Sequence, residues 1–281
     1  MMANLKIVTD SSSTMEPSVR DALAIHVVPL SVMIDGVVYP DDETLPGEKF
    51  MQMMAQAKEL PKTSQPPIGH FVELYDELGK DGSEILSIHM TKGLSGTVEA
   101  ARQASHLSKA KVTVIDSDTT DQALAFQVIR AAELAKAGKT LEEVLPEVDL
   151  VREHTKLFIG VSTLENLVKG GRISRAKGLL SSLLNMKVIM DFDHSELIPV
   201  VKGRGVKTFN KWFEELKVEL KNMPKVTKIG ISHAEGLEIT ERFQKELAEL
   251  FPDLEIPLLH TTPIIATHTG KGAFAITYST E

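Results

Sequence analysis

The sequence predicts an α/β protein of two lobes, an N-terminal α/β/α lobe with a parallel sheet and a C-terminal α/β lobe with a mixed sheet. Three observations carry this reading. The 281 residues exceed one minimal core, and a length of about 150 residues per domain gives two. Through the first half, short apolar runs alternate with helical periodicities, the pattern of a helix-covered parallel sheet. In the second half, strand-like runs face each other across polar turns between helices. The expected lobes are residues 1–153 and 154–281, with a ligand buried in the cleft between them.

Taken in order, Leu5 to Val8 reads as a buried strand running into the polar turn Thr9-Asp10-Ser11-Ser12-Ser13-Thr14, which can cap a helix over Glu16 to Leu23. Val27 to Ile34 and Val37 to Tyr39 flank Asp35-Gly36, a dipeptide favoured in tight hairpin turns. Helices follow at Glu48 to Lys58 and Phe71 to Leu78, separated by the breaker run Pro61 to Pro67. Next come a strand at Ile85 to His89, a helix at Thr97 to Leu107 and a strand at Val112 to Asp116. A helix over Gln122 to Ala137 then stops at Gly138. A charged helix, Leu141 to His154, leads to the strand Leu157 to Val161 and the breaker Gly170-Gly171. Strands at Lys187 to Asp191 and Leu197 to Val201 flank the loop Phe192 to Glu196. Helices at Phe209 to Leu220 and Glu238 to Leu250 and a strand at Ala273 to Tyr278 complete the chain.

Composition excludes several function classes. Apolar residues at 42% and charged residues at 25% describe a chain able to bury a core. A net charge of -8 repels nucleic acid and anionic lipid surfaces, so no nucleic-acid partner is expected. The absence of cysteine removes disulfides, thiol catalysis and cysteine-held metal. With no signal-like start, and an apolar stretch from Ala22 to Ile34 that falls short of the ~20 residues of a span, the expectation is a cytoplasmic protein without stable membrane insertion. The histidines show no metal-ligand spacing, so no metal is expected.

The chemistry-bearing residues are small, polar and near strand ends. Met90 to Thr97 leads from a strand into a helix, placing Ser95 near the N-cap, where free amides and the helix dipole favour an anion; a serine simply capping its helix is the plainer alternative. The segment lacks P-loop spacing. Gly93-Leu94-Ser95-Gly96-Thr97 nearly matches the nucleophile elbow G-x-S-x-G, and Ser95, Asp191 or Asp193, and His268 follow the chain order of an α/β-hydrolase triad. A Ser-His-Asp esterase is therefore the rival reading, and it requires His268 within hydrogen-bond reach of Ser95. Lys62-Thr63-Ser64-Gln65-Pro66-Pro67 holds Thr63 on a proline-stiffened loop. Lys169 to Ser174 sets Arg172 beside Gly170-Gly171, suited to approaching a carboxylate or phosphate, or else a surface arginine. His268-Thr269-Gly270-Lys271-Gly272 lets backbone come close to a ligand.

Taken together and in this order, Thr9-Asp10-Ser11-Ser12, Thr63-Ser64-Gln65-Pro66, Leu94-Ser95-Gly96-Thr97, Leu164 to Ser174, Gly203-Arg204-Gly205 and His268-Thr269-Gly270 resemble the DegV family over about residues 4–280. The resemblance implies a single unit holding one long-chain fatty acid in a buried tunnel, without catalysis of its own. Members serve as the fatty-acid-binding subunit of bacterial fatty acid kinase. They present the carboxyl group to a separate kinase subunit, which carries the ATP and Mg, for acyl phosphate formation that feeds phospholipid synthesis. By the same resemblance Thr63, Ser95, the Gly96 amide, Arg172 and His268 surround the carboxylate, with no cofactor. Arg204, on a glycine-flanked turn, is the candidate for docking the kinase. Asn166, Val98 and Lys271 stand where the family pattern has an aromatic, a tyrosine and a proline.

The energetics suit such a ligand. Burying ~16 methylenes gains on the order of 13 kcal/mol. Burial of the carboxylate is unfavourable unless charge-assisted hydrogen bonds replace its water. Eleven methionines, including Met51, Met53 and Met54, would suit a pliable aliphatic tunnel or an ordinary core equally.

Overall fold

The computed structural model of the protein describes residues 5–175 and 186–281. Among these residues the chain runs β1 (Leu5–Asp10), α1 (Pro17–Ala22), β2 (His26–Val28), β3 (Ser31–Ile34), β4 (Val37–Pro40), α2 (Gly47–Gln56), β5 (Lys62–Ser64) and α3 (Ile68–Leu78). It continues through β6 (Glu84–His89), α4 (Thr97–Leu107), β7 (Lys111–Asp116), α5 (Asp121–Lys136) and α6 (Leu141–Glu153). The second half contains β8 (Thr155–Val161), α7 (Glu165–Lys169), β9 (Lys187–Asp193), β10 (Glu196–Gly203), α8 (Lys207–Asn222), β11 (Val226–Ala234), α9 (Leu237–Leu250), β12 (Leu258–His260), α10 (Pro263–Thr269) and β13 (Ala273–Thr280).

The first lobe is built on a sheet ordered β2-β1-β6-β7, parallel throughout, and the second on a mixed sheet ordered β10-β9-β8-β13-β11-β12. In the mixed sheet only β11 and β12 pair in parallel. A small antiparallel sheet, β4-β3-β5, completes the set. Each large sheet packs helices on its outer face: Phe71, Tyr75, Ala100 and Ala104 of α3 and α4 cover the first, and Phe209, Phe213, Phe243 and Leu247 of α8 and α9 cover the second. Between the sheets lies one continuous core in which Leu86 and Ile88 of the first sheet join Val161, Val188 and Ala275 of the second. Helix α5 runs through this layer. Its residues from Asp121 to Val128 are buried on every side, which explains why the stretch reads as apolar and small all round rather than as a one-sided stripe.

Local chemistry sets several boundaries. Asp35 and Gly36 both take positive φ (47° and 86°) in the turn joining β3 to β4, as their dipeptide predicts. The expected single strand from Val27 to Ile34 is instead split into β2 and β3, which belong to different sheets; Pro29 has no N–H for a ladder and lies at the break. Thr63 lies not on the loop its sequence predicts but in β5, a strand paired with β3 and hidden in the sequence by its flanking prolines. The expected five-residue loop at Phe192 to Glu196 shrinks to a two-residue turn, His194-Ser195, both left-handed at φ 44° and 66°. Ser195 Oγ donates to Asp118 Oδ1 (2.9 Å) and bonds Thr91 Oγ1, which holds this turn against the first lobe. Gly93 must be glycine there, because a Cβ would stand 2.7 Å from that of Ser195.

Candidate functional site

A cavity of about 320 Å³ lies between the two large sheets. It falls within the size range of small-molecule sites. Its walls are mostly aliphatic, with Leu30 and Met90 from the first lobe, Ile159, Met190 and Leu197 from the second sheet, and Ile264 from α10. The methionines in its wall are thus Met90 and Met190. Met51, by contrast, is fixed in the core, with Met53 and Met54 packed on that core.

One end of this cavity is polar, and Thr63, Ser95, Gly96, Arg172 and His268 all line it. Strand β5 presents Thr63, whose Oγ1 shares a 2.9 Å hydrogen bond with His268 Nε2 on the last turn of α10. Gly96 is the N-cap of α4, and Ser95 immediately before it accepts the Thr97 N–H at 3.3 Å and bonds Thr97 Oγ1 at 2.8 Å. Ser95 therefore holds the first amide of α4 and also forms part of the cavity wall, beside a helix N-terminus. Arg172 follows the tight turn Gly170-Gly171. Its Nε and Nη2 donate to the Leu94 carbonyl (3.2 and 3.0 Å) and Nη1 to the Gly170 carbonyl (2.8 Å), which leaves two of the five guanidinium N–H bonds.

The electrostatics of this end are one-sided. Among the described residues no carboxylate pairs with Arg172. Burial, and then the Arg172 charge, pull the His268 pKa down to about 4, so the ring is neutral near pH 7. His268 Nδ1 is buried without a partner. It sits against Gly170, where a Cβ would come within 2.3 Å. The arrangement offers two hydroxyls, a helix N-terminus, an uncompensated guanidinium and an imidazole able to take up a proton. Those are the donors a carboxylate requires. The rival triad is not assembled: His268 bonds Thr63, Ser95 bonds Thr97, and Asp191 and Asp193 both face Lys156 at 3.6 and 3.4 Å.

Arg204 does not line the cavity. It lies exposed beyond the end of β10, before Gly205 with φ 76°. Two residues outside the expected donor set adjoin it, Gln65 in the cavity wall and Asn166 behind the helix that carries His268. Gln65, next but one to Thr63 in sequence, lies over Gly96 so closely that a Cβ there would meet its Oε1 at 2.1 Å. Asn166 donates to the Thr267 carbonyl at 2.9 Å and so ties α7 to the helix carrying His268. The quoted motifs contain both residues, but nothing in the spacing shows that they meet Gly96 and α10. No group of side chains suited to holding a metal occurs among the described residues.

Comparison with known proteins gives a consistent picture. The family model described as "Uncharacterised protein, DegV family" matches residues 4–281. A DegV domain-containing protein of Streptococcus pneumoniae is 55% identical over 275 residues, covering 98% of each chain. The crystal structure of DegV, a fatty acid binding protein from Bacillus subtilis, superposes with a TM-score of 0.90 at 31% identity, covering 99% of this chain and 100% of that one. A DegV family protein from Thermus thermophilus, described for its fatty acid binding, gives 0.89 at 27% identity, covering 99% and 100%. With its parallel-sheet lobe and its mixed-sheet lobe, the chain belongs to the DegV family.

Proposed function

We propose that this protein binds one long-chain fatty acid in the inter-sheet cavity, with the carboxylate held by Thr63, Ser95, the Gly96 amide, Arg172 and His268. The observation that carries the reading is Arg172, unpaired with any carboxylate among the described residues, at the polar end of a mostly aliphatic cavity. A half-buried cation that has no counter-ion among the described residues is unfavourable, and a ligand carboxylate would supply one. The fatty-acid-binding relatives in Bacillus subtilis and Thermus thermophilus support the same ligand. Mass spectrometry of an organic extract of the purified protein should find about one equivalent of fatty acid. A polar metabolite in its place would end this reading.

The protein's role is then that of a carrier rather than an enzyme. It presents the carboxylate to a separate fatty acid kinase subunit, which holds the ATP and Mg needed for phosphoryl transfer and forms the acyl phosphate used in phospholipid synthesis. Arg204 is the docking candidate. It lies seven residues past the cavity-lining Leu197, at most about 23 Å along the strand, a span that a standard interface of about 800 Å² per partner covers. Purified protein with ATP and fatty acid should make no acyl phosphate until the kinase subunit is added. Arg204→Ala should slow that coupled reaction and leave fatty acid binding intact. Acyl phosphate made by this chain alone would overturn the carrier role, and labelling of Ser95 by a fluorophosphonate would favour an esterase.

A further inference from the structure

The motif Thr9-Asp10-Ser11-Ser12 touches none of the head-group donors, yet three of its consecutive residues each bind the backbone of a different wall of the cavity. Asp10 Oδ2 accepts the N–H of Met90 at 2.9 Å. Ser11 Oγ accepts the N–H of Leu30 at 3.0 Å and donates to Asp41 Oδ2 at 2.7 Å. The Ser12 carbonyl accepts the N–H of Asp121 at 3.0 Å, adjoining Thr120. Met90, Leu30 and Thr120 all line the cavity. Asp41 in turn accepts the amide of Ile264, a further lining residue.

We propose that the Asp10–Ser12 segment is a positioning element that sets the shape of the acyl cavity and so discriminates between acyl chains. The proposal rests on the fatty acid reading above.

The segment is built to hold still. It leaves the central part of the first sheet at the end of β1, between β2 and β6. Asp10 is wholly buried, and its two oxygens collect the Ser12 N–H (3.0 Å), the Ser12 hydroxyl (2.6 Å), His89 Nδ1 (3.0 Å) and the Met90 N–H. His89 is itself fixed, since its Nε2 bonds Ser87 Oγ at 2.7 Å and Ser87 bonds the Tyr75 hydroxyl at 2.7 Å. Hydrogen bonds made by a buried charge are strong and directional, so the backbones they grip have little freedom. An aliphatic pocket discriminates between chains by shape alone, and its selectivity depends on whether its walls can yield. Releasing the Leu30 or Met90 backbone should let the pocket accept bent and straight chains more equally.

The test compares the dissociation constants of palmitate and oleate for the delipidated full chain. Ser11→Ala, which frees Leu30, should change the palmitate-to-oleate ratio by about threefold to tenfold, the range for a lost hydrogen bond. Ser12→Ala, which removes only the hydroxyl on Asp10, should move it in the same direction by less and serves if Ser11→Ala does not fold. Thr240→Ala, buried in α9 of the other lobe, controls for lost stability and should leave the ratio unchanged. Should the serine variants lose thermal stability as the control does while the ratio stays within about twofold of the parent, the segment supports the fold alone and the proposal fails. Should the parent chain bind neither fatty acid, it is the ligand reading that fails.

Discussion

Two histidines, His89 wholly buried and His268 partly so, show how the same residue can complete a structure or be left short of a partner. His89 lies beside Asp10, and burial, which alone would raise that carboxyl's pKa, is outweighed by the bonds from His89, Ser12 and the Met90 amide, so Asp10 stays ionised with its acceptors filled. His268 lies near Arg172 instead. It has one unpartnered nitrogen, and the adjoining guanidinium has no counter-ion among the described residues. The first cluster contains its own carboxylate; the second lacks one. Buried polar groups that are fully partnered hold a fold together, whereas groups left short of a partner beside a cavity mark where a ligand completes them.

Opposed substitutions break the comparison most sharply. Asp10→Ala should cost about 3–5 kcal/mol in chemical denaturation of the delipidated protein, because it strands a buried histidine. Arg172→Ala should cost little stability yet weaken fatty acid binding by about a hundredfold, as read in equilibrium titration. If the two variants exchanged these phenotypes, the assignment of structure to one cluster and site to the other would be reversed.

A second expectation concerns Asp41, whose pKa burial raises to about 7 against the bond from Ser11, with the Asp10 charge adding to the rise. Its folded value lies above the unfolded one, so the protonated form is favoured in the folded chain. Stability should be greatest below about pH 4 as far as this group is concerned, and fall between about pH 4 and 7 by up to about 1.4 kcal/mol per unit. Asp41→Asn should flatten that slope in a pH series of melting curves.

Smaller effects sharpen the head-group end. Thr63→Ala and Ser95→Ala should each weaken binding roughly tenfold, with Ser95→Ala also losing a little helix stability through the Thr97 amide. The subtlest effect is a proton. His268, with its pKa near 4 in the empty site, should rise toward its ordinary value when a carboxylate arrives. Binding near pH 5.5 should therefore take up part of a proton, visible as a buffer-dependent enthalpy in calorimetry and absent in His268→Gln.

Much of the first lobe is legible in the sequence because its strands and helices are local patterns. Ile85 to His89 and Thr97 to Leu107 differ from β6 and α4 by at most a residue. Misreadings arise where distant partners decide. Strand β5 is too short and too proline-bounded to show a period, and β3 makes it a strand. Helix α10 carries His268 but is rich in Ile and Thr, which are poor helix formers, so its sequence gives little helical signal. The proposed head-group residues are visible in family motifs rather than in spacing, since nothing local shows that Thr63 meets a histidine 205 positions later. The aliphatic walls were not legible at all, because Leu30, Met90 and Met190 look like any core residue until the sheets face each other.

That contact between Thr63 and His268 joins the chain's early and late segments at the wall of the cavity. A molecule enclosed there would act as a further fastener between regions already tied by contacts such as those of Ser195 with Asp118 and of Gln122 with the Ile231 carbonyl. Occupancy at a hundred times the dissociation constant would add about 2.7 kcal/mol to folding. If the cavity takes the proposed ligand, loaded chains would outlast empty ones wherever proteases sample unfolded molecules, and the standing amount of protein would follow the supply of ligand without any separate sensor.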